Sequence, residues 1–410
     1  PQFFLTANNI WNTIIDPITN DMIINGVINR ETLIKQGDGK YYVNDENMFS
    51  ESNSLRKLHN YIKSKLITGV CSSFKHKISI LDLSIGRGGD LNKYLARDSN
   101  AKFIMGMDLS TNVEECCERY FKQRKDKPPG VFLIGNTSQN ISSGDCFNGI
   151  EGDNVDSKIS HSKNMLNILY NLRQPVPKQY KNIQKKYNGL AKKKFDVISS
   201  QFSLHYYFET KETFEGFMSN LLNNIAPNGY FIGTCYDGMR VFNTIKDEPL
   251  SYGDDEGNLI YSIQKMYETE SFDFDEKNTD NMFGQKIDVF MESIGQTLSE
   301  YLVNFDFLKY YMEKKGFSLV NVLPLVKNRY KNLFKDTHIT NGFGDFGKVI
   351  NRLSELEDGD RDLQKGGFYE GAMDMIKNTT YNKDKTVKTK GSEELRLLSS
   401  LNNFFVFKRT

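Results

Sequence analysis

Apolar positions in this 410-residue chain alternate between two rhythms. Short, mostly apolar runs at Ile78–Leu83, Phe103–Met107, Val131–Ile134, Phe195–Ser200 and Tyr230–Cys235 read as strands, the first of them a buried parallel one. Helical periodicity fills the intervals. Ser52–Val70 places Leu55, Leu58, Ile62 and Leu66 on one face, and Asn112–Arg124, Ser162–Leu172, Lys211–Ile225 and Met239–Ile245 follow suit. A polar, β-rich segment covers Leu259–Met291. Then come Glu300–Phe305, a helix to Lys315, a short run Gly316–Val320 and a last strand Asn403–Phe407. Repeated strand–helix units closed by a hairpin predict an α/β fold: a doubly wound, mostly parallel, seven-stranded sheet with an antiparallel edge. Residues 1–50 carry turn signals and read as an extension or linker from an upstream domain. Residues 51–410 read as one domain with insertions at 137–194 and 330–390.

The chemistry gathers behind the first strand. Gly86, Gly88 and Gly89 follow it at once, and a helical pattern starts at Asp90. Strand, glycine turn and helix start make a seat for a nucleoside-bearing ligand, because glycines admit a close backbone approach and the helix start has free N–H groups. The same order also serves an ordinary tight turn. The second strand ends in Asp108, where doubly wound folds hold a ribose diol; an N-cap for the following helix is the plainer alternative. No Gly-Lys-Ser/Thr follows, which excludes a phosphate loop. Asp90 would oppose a pyrophosphate and suits a cationic or neutral ligand, which favours S-adenosylmethionine. Past the fourth strand, Gln201-Phe-Ser-Leu-His-Tyr-Tyr207 is poor core material and good pocket material.

Composition narrows the field modestly. A net charge of +1 leaves nucleic-acid contact to local patches. Such patches are Arg56, Lys57, His59, Lys63 and Lys65 on the first helix, and the lysine groups at 185–186 and 192–194; a solvated face explains either equally simply. Cys71, Cys116, Cys117, Cys146 and Cys235 have no zinc-like spacing, so free thiols and no metal are expected. No apolar run reaches membrane-spanning length. The chain begins at Pro1, as a piece cut from a longer protein would.

Leu81-Asp-Leu-Ser-Ile-Gly-Arg-Gly-Gly-Asp-Leu91, Gln201-Phe-x-x-His-Tyr-x-Phe208, Pro227-Asn-Gly-Tyr-Phe-Ile-Gly-Thr234 and Glu300-Tyr-Leu-Val303 together resemble the mRNA cap guanine-N7 methyltransferases. The helix segment Leu58-His-Asn-Tyr-Ile-Lys-Ser64 resembles their N-terminal motif. The match covers roughly residues 50–410 and is nearest in look to the methyltransferase domain of large DNA virus capping enzymes. The resemblance implies a class I, Rossmann-like fold, S-adenosylmethionine as cofactor and a capped mRNA 5′ end as substrate. It implies fusion to, or association with, triphosphatase and guanylyltransferase domains, with a stimulatory subunit possible and no membrane. The compartment would be the host cytoplasm or virion, or the nucleus for a cellular protein. No Lys-x-Asp-Gly nucleotidyl-transfer motif occurs here.

Residue by residue, the resemblance implies that Lys63 meets the methionine carboxylate and that Ser84, Gly86 and Asp90 line the cofactor. Asp108 takes the ribose, Asn136 lies at the adenine, and Gln201 and Tyr206 close the methionine end. His59, Asn60, Arg87, Lys93 and Arg119 face the cap or its phosphates, while His205 and Glu300, with Tyr206, position the guanine. No residue is named as acid or base, since guanine N7 already offers a lone pair. Three departures stand out: Ser84 for the family's first glycine, Asn136 for an aspartate, and Asn402 where a cap-stacking tyrosine is usual, leaving Phe404 or a neighbour to substitute. Two rival readings are a cap 2′-O-methyltransferase, which needs a lysine–acid set to activate a hydroxyl, and a weakly active or inactive partner subunit of the same fold.

Overall fold

The computed structural model describes residues 53–150, 155–254, 257–320, 333–334, 343–355, 369–376, 380–381, 387–389 and 392–410. The chain divides into Pro1–Asp38 and Gly39–Thr410; the first unit, with the expected extension at 1–50, lies outside the described residues. So does much of the expected insertion at 330–390.

In chain order, helix α1 (Asn53–Cys71) precedes β1 (Ile78–Asp82), α2 (Leu91–Tyr94), β2 (Ala101–Asp108), α3 (Val113–Phe121) and β3 (Gly130–Ile134). The segment 137–194 holds α4 (Val155–Tyr170) and α5 (Lys181–Tyr187), more helix than its polar sequence suggests. Next come β4 (Phe195–Gln201), a 3-10 turn (Leu204–Phe208), α6 (Lys211–Asn224), β5 (Ile225–Tyr236) and α7 (Gly238–Thr244). Strands β6 (Leu250–Gly253), β7 (Leu259–Lys265), β8 (Lys286–Met291) and β9 (Gln296–Tyr301) follow. They lead to α8 (Phe305–Lys314) and β10 (Phe317–Leu319). The last elements are β11 (Gly344–Asp345), α9 (Phe346–Glu355), α10 (Tyr369–Ile376), β12 (Thr380–Tyr381), β13 (Val387–Thr389), α11 (Ser392–Ser400) and β14 (Asn402–Arg409).

The main sheet runs β10-β14-β5-β4-β1-β2-β3, with β11 added against β14. Strands β1 to β5 pair in parallel, and β14 is antiparallel to both β5 and β10. The antiparallel strand is therefore interior, not the expected edge, and β10 is the edge. Every residue of β1 is buried, Ser79 and Asp82 included, as a central strand covered on both faces requires. Leu55, Leu58, Ile62 and Leu66 of α1 are all buried, as their spacing predicts. Lys63 and Lys65 are buried too, which removes them from the solvated basic face. Chain order reverses beside β1, between β2 and β4, and this puts a crevice at their carboxyl ends.

The β-rich stretch forms a separate antiparallel sheet, β6-β7-β8-β9. Its inner face carries Ile263, Val289 and Ile287, and Glu300 stands opposite Ile287 in that same buried row. Strand β9 packs against the 3-10 turn behind β4, which delivers Glu300 to the crevice. Asn304 anchors the return to the main sheet: its Oδ1 accepts Phe307 N–H at 3.0 Å and caps α8, while its Nδ2 donates to Phe272 O at 2.7 Å.

Candidate active site at the carboxyl ends of β1, β2 and β4

The loop after β1 turns through Gly86 at φ +49° and Gly88 at φ +79°, the left-handed region where glycine is favoured. A Cβ at Gly88 would also meet Cys116 Sγ at 2.9 Å, so helix α3 closes that side. Asp108 fixes the loop from β2. Its Oδ2 accepts Gly86 N–H at 2.7 Å, and its Oδ1 accepts Ser110 N–H at 2.9 Å and Ser110 Oγ at 2.6 Å. Burial raises this carboxyl above its ordinary range.

Asp90 sits at the start of α2 between two ammonium groups, Lys63 Nζ at 2.9 Å and Lys93 Nζ at 2.7 Å. Burial alone would raise the carboxyl, but the two lysines hold it down to about 2. Lys93 also donates to Asn60 Oδ1 at 2.8 Å and Gly89 O at 2.9 Å. Three acceptors around a buried ammonium make Lys93 a strut inside the loop. Asn60 is drawn into the same strut, and its Nδ2 donates to Arg56 O at 2.9 Å.

The far wall of the crevice is the corner after β4. Gln201 Nε2 donates to Ser199 Oγ at 3.0 Å and its Oε1 accepts Thr234 Oγ1 at 3.1 Å. Phe202 has φ +52°, an outlier for a bulky residue, and is held there by its N–H on Thr234 O at 2.7 Å. Its ring stacks on His59 at 5.1 Å between centroids, with Lys63 Nζ 5.3 Å from the ring. His205 follows, fully enclosed, with its ring 4.2 Å from that of Tyr206. Neither ring nitrogen of His205 has a hydrogen-bond partner, and neither does Glu300 Oε2, which lies 3.6 Å from His205 Nδ1. Burial pushes Glu300 up to about 8 and His205 down to about 3.

Other expected contacts are engaged elsewhere. Arg87 grips Glu115 through Nε at 2.5 Å and Nη2 at 2.9 Å, and Arg119 meets the same carboxylate at 2.6 Å. His59 bonds Ser399 Oγ at 3.0 Å, and burial and Lys63 lower its ring to about 3, so it is neutral. Asn402 is buried with Nδ2 on Leu398 O and Ser399 O, both at 3.2 Å. Its amide thus caps the end of α11. Phe404 is equally buried, against Phe334. Asn136 Oδ1 accepts Ser138 N–H at 3.0 Å and Ser138 Oγ at 2.7 Å. With both lone pairs used, only its amide N–H groups remain for a ligand. Ser84 causes no strain, since its backbone is not left-handed.

Sequence reading left out one acid and one ring. Asp82 lies beneath the loop, pushed up to about 7 by burial while Tyr94 Oη donates to it at 2.7 Å. An acid inside the apolar run Ile80–Leu83 was the available signal. Nothing in the sequence announces the left-handed backbone of Phe202.

Residues 39–368 match the model of the mRNA (guanine-N(7))-methyltransferase domain family. The chain belongs to that family. Among curated proteins, it is 28% identical over 97% of its length to a probable mRNA-capping enzyme of Acanthamoeba polyphaga mimivirus, covering 34% of that protein. It is 26% identical to the mRNA cap guanine-N(7) methyltransferase of Saccharomyces cerevisiae over 67% of this chain and 52% of that one. The Aspergillus niger enzyme of the same name is 24% identical over 68% of this chain and 43% of its own. The chain thus spans about a third to a half of the length of these relatives.

Proposed function

We propose that this chain methylates N7 of the terminal guanine of an mRNA 5′ cap, converting GpppN-RNA to m7GpppN-RNA. The observation that carries the reading is Glu300. A buried carboxylate oxygen with no hydrogen-bond partner is costly to keep. Guanine N1–H and its 2-amino group offer two donors side by side, which a carboxylate accepts well.

S-adenosylmethionine fits the opposite wall. Against the expectation from Asp90 alone, its one carboxylate is outnumbered by Lys63 and Lys93, so this wall carries a net positive charge that suits the methionine carboxylate. Lys63 would meet the methionine carboxylate, Asp108 the ribose and the loop through Gly86 the nucleoside. Asn136 would donate to an adenine ring nitrogen, not accept from the amine. Gln201 and Tyr206 would close the methionine end. When bound, this cofactor supplies the methyl group. The protein's own share is alignment and electrostatics: no general base is needed, and the crevice holds the base in line and excludes water. Positive charge develops on guanine during transfer, and ionised Glu300 favours that charge more than the neutral ground state. The 2′-O reading has less support: the lysines of the site, Lys63 and Lys93, are both paired with Asp90 at the start of α2, and the corner Gln201–Phe208 contains none.

Partners of the mature protein follow the same reading: triphosphatase and guanylyltransferase activities upstream, in the same polypeptide or beside it. The deciding experiment is methyl transfer from labelled cofactor to GpppA-ended against m7GpppA-ended RNA. Labelling of the first and not the second is expected. Labelling of the second would return the 2′-O activity, and labelling of neither would leave a partner subunit.

A further inference from the structure

Three serine hydroxyls join the two walls of the crevice. Ser84 Oγ, on the loop after β1, lies 2.5 Å from Ser203 Oγ, and Ser203 Oγ lies 2.8 Å from Ser200 Oγ at the end of β4. Ser203 and Ser200 are buried and Ser84 is partly so. Ser203 follows the left-handed Phe202 and is followed, after Leu204, by His205. The peptide on its other side is tethered to β5, through Phe202 N–H on Thr234 O and Gln201 Oε1 on Thr234 Oγ1. The corner that presents Phe202 and His205 is thus fixed to β5 by Thr234 and to the glycine loop by Ser84.

We infer that Ser203 is a positioning residue: its hydroxyl, bonded to Ser84, sets the distance between the methyl-donor loop and the guanine-holding corner. The inference rests on the functional reading above. In-line transfer is steep in distance and angle, so a loosened register lowers the rate of the bound complex without weakening either substrate. Tyr207 Oη and Thr137 Oγ1 both donate to Leu83 O, at 3.1 Å and 2.8 Å, and they brace the strand end itself. The Ser84 hydroxyl reaches the corner from a side chain of the loop, where Leu83 is held through its backbone carbonyl.

Steady-state methyl transfer to GpppA-ended RNA, with kcat and both KM values, tests this on Ser84→Ala, Ser203→Ala, the double variant and Ser84→Thr, each checked by thermal melting. Each single alanine variant is expected to lower kcat about tenfold with KM for RNA and cofactor within about twofold. The double variant should fall no further, because both changes cut the same bond. Ser84→Thr keeps the hydroxyl and should retain most of kcat. Unchanged kcat, or multiplicative losses in the double variant, overturns the inference. A raised cofactor KM at constant kcat makes Ser84 a simple ligand contact and overturns it equally. Should Ser203→Ala not fold, the contrast between Ser84→Ala and Ser84→Thr decides alone. A wild type that labels no GpppA end overturns the functional reading and this inference with it; an active wild type with indifferent variants overturns only the inference.

Discussion

Glu300 Oε2 stands 3.6 Å from His205 Nδ1, both side chains are buried, and neither atom has a hydrogen-bond partner. The two arrive from different sheets, Glu300 on β9 and His205 on the turn after β4. Glu300→Gln keeps the shape and loses one acceptor and the charge. Transfer to capped RNA should fall roughly 10²-fold with cofactor affinity unchanged, the range for removing a preorganised electrostatic group. An inosine cap, which lacks the 2-amino group, should be a poorer substrate for the wild type and lose less on mutation. Equal penalties on both caps would mean that Glu300 does not contact the base.

The pH dependence of the rate should carry the same residue's signature. Burial pushes Glu300 up to about 8, so in the free protein the carboxylate forms only on the alkaline side. The ratio kcat/KM should climb through about pH 8, and Glu300→Gln should remove that limb. Stability runs the other way. Between 4.5 and about 8 the folded protein keeps a proton that the unfolded chain has released, so this contribution is full below 4.5 and is lost as pH rises through about 8. Melting temperatures of wild type minus variant should therefore decline across that window. The difference cancels the opposite trend of His205, whose lowered ring favours folding more as pH rises from about 3 to 6.5.

Glu115 occupies two cations that would otherwise suit a triphosphate. Glu115→Gln should weaken the hold on Arg87 and Arg119, tighten binding of capped RNA and steepen its salt dependence by roughly 0.7 log units per log unit of salt for each phosphate gained. An unchanged slope in a fluorescence titration across salt would place both arginines away from the phosphates.

Asp90 compensates two buried ammonium groups at once. Asp90→Asn should cost about 3–5 kcal/mol of stability, because it leaves them without their shared carboxylate. A urea titration with an unchanged m-value would measure it. In the wild type this contribution is present above 3.8 and is lost as pH falls through about 2. A midpoint shift under ~1 kcal/mol would mean that the lysines find other partners.

Much of the main sheet was legible because its strands are short, mostly apolar runs bounded by turn residues: Val131–Ile134 is apolar throughout and needed no alternation to be found. Helix α1 was legible by period alone. The second sheet was legible only as a β-rich segment, without strand bounds or pairing. Leu259–Met291 alternates irregularly, and its inner row is completed by a charged residue, so no pattern marks Glu300 as inward-facing. At the site, Asp108, His205 and Glu300 could be nominated as residue types. What sequence could not supply was pairing, since Lys93 is a strut and Asn402 a helix cap for reasons that lie in chain-distant neighbours. Arg87 and Arg119 differ in kind: their partner Glu115 sits one helical turn before Arg119, and that spacing was visible.

Strand β14 has a consequence for how the chain reaches this state. It lies between β5 and β10, and Asn403 bonds Asp237, 166 positions earlier. The β1–β2, β2–β3 and β4–β5 ladders join near neighbours and can form early; the β1–β4 ladder spans 117 positions, Ile80 to Val197, and β14 must close a longer loop still before its contacts compensate. Until then β5 is an unpaired edge of apolar residues, Phe231 and Ile232 among them, open to any extended strand nearby. Slow closure of this one ladder would set the refolding rate, and the waiting intermediate would be the species that aggregates.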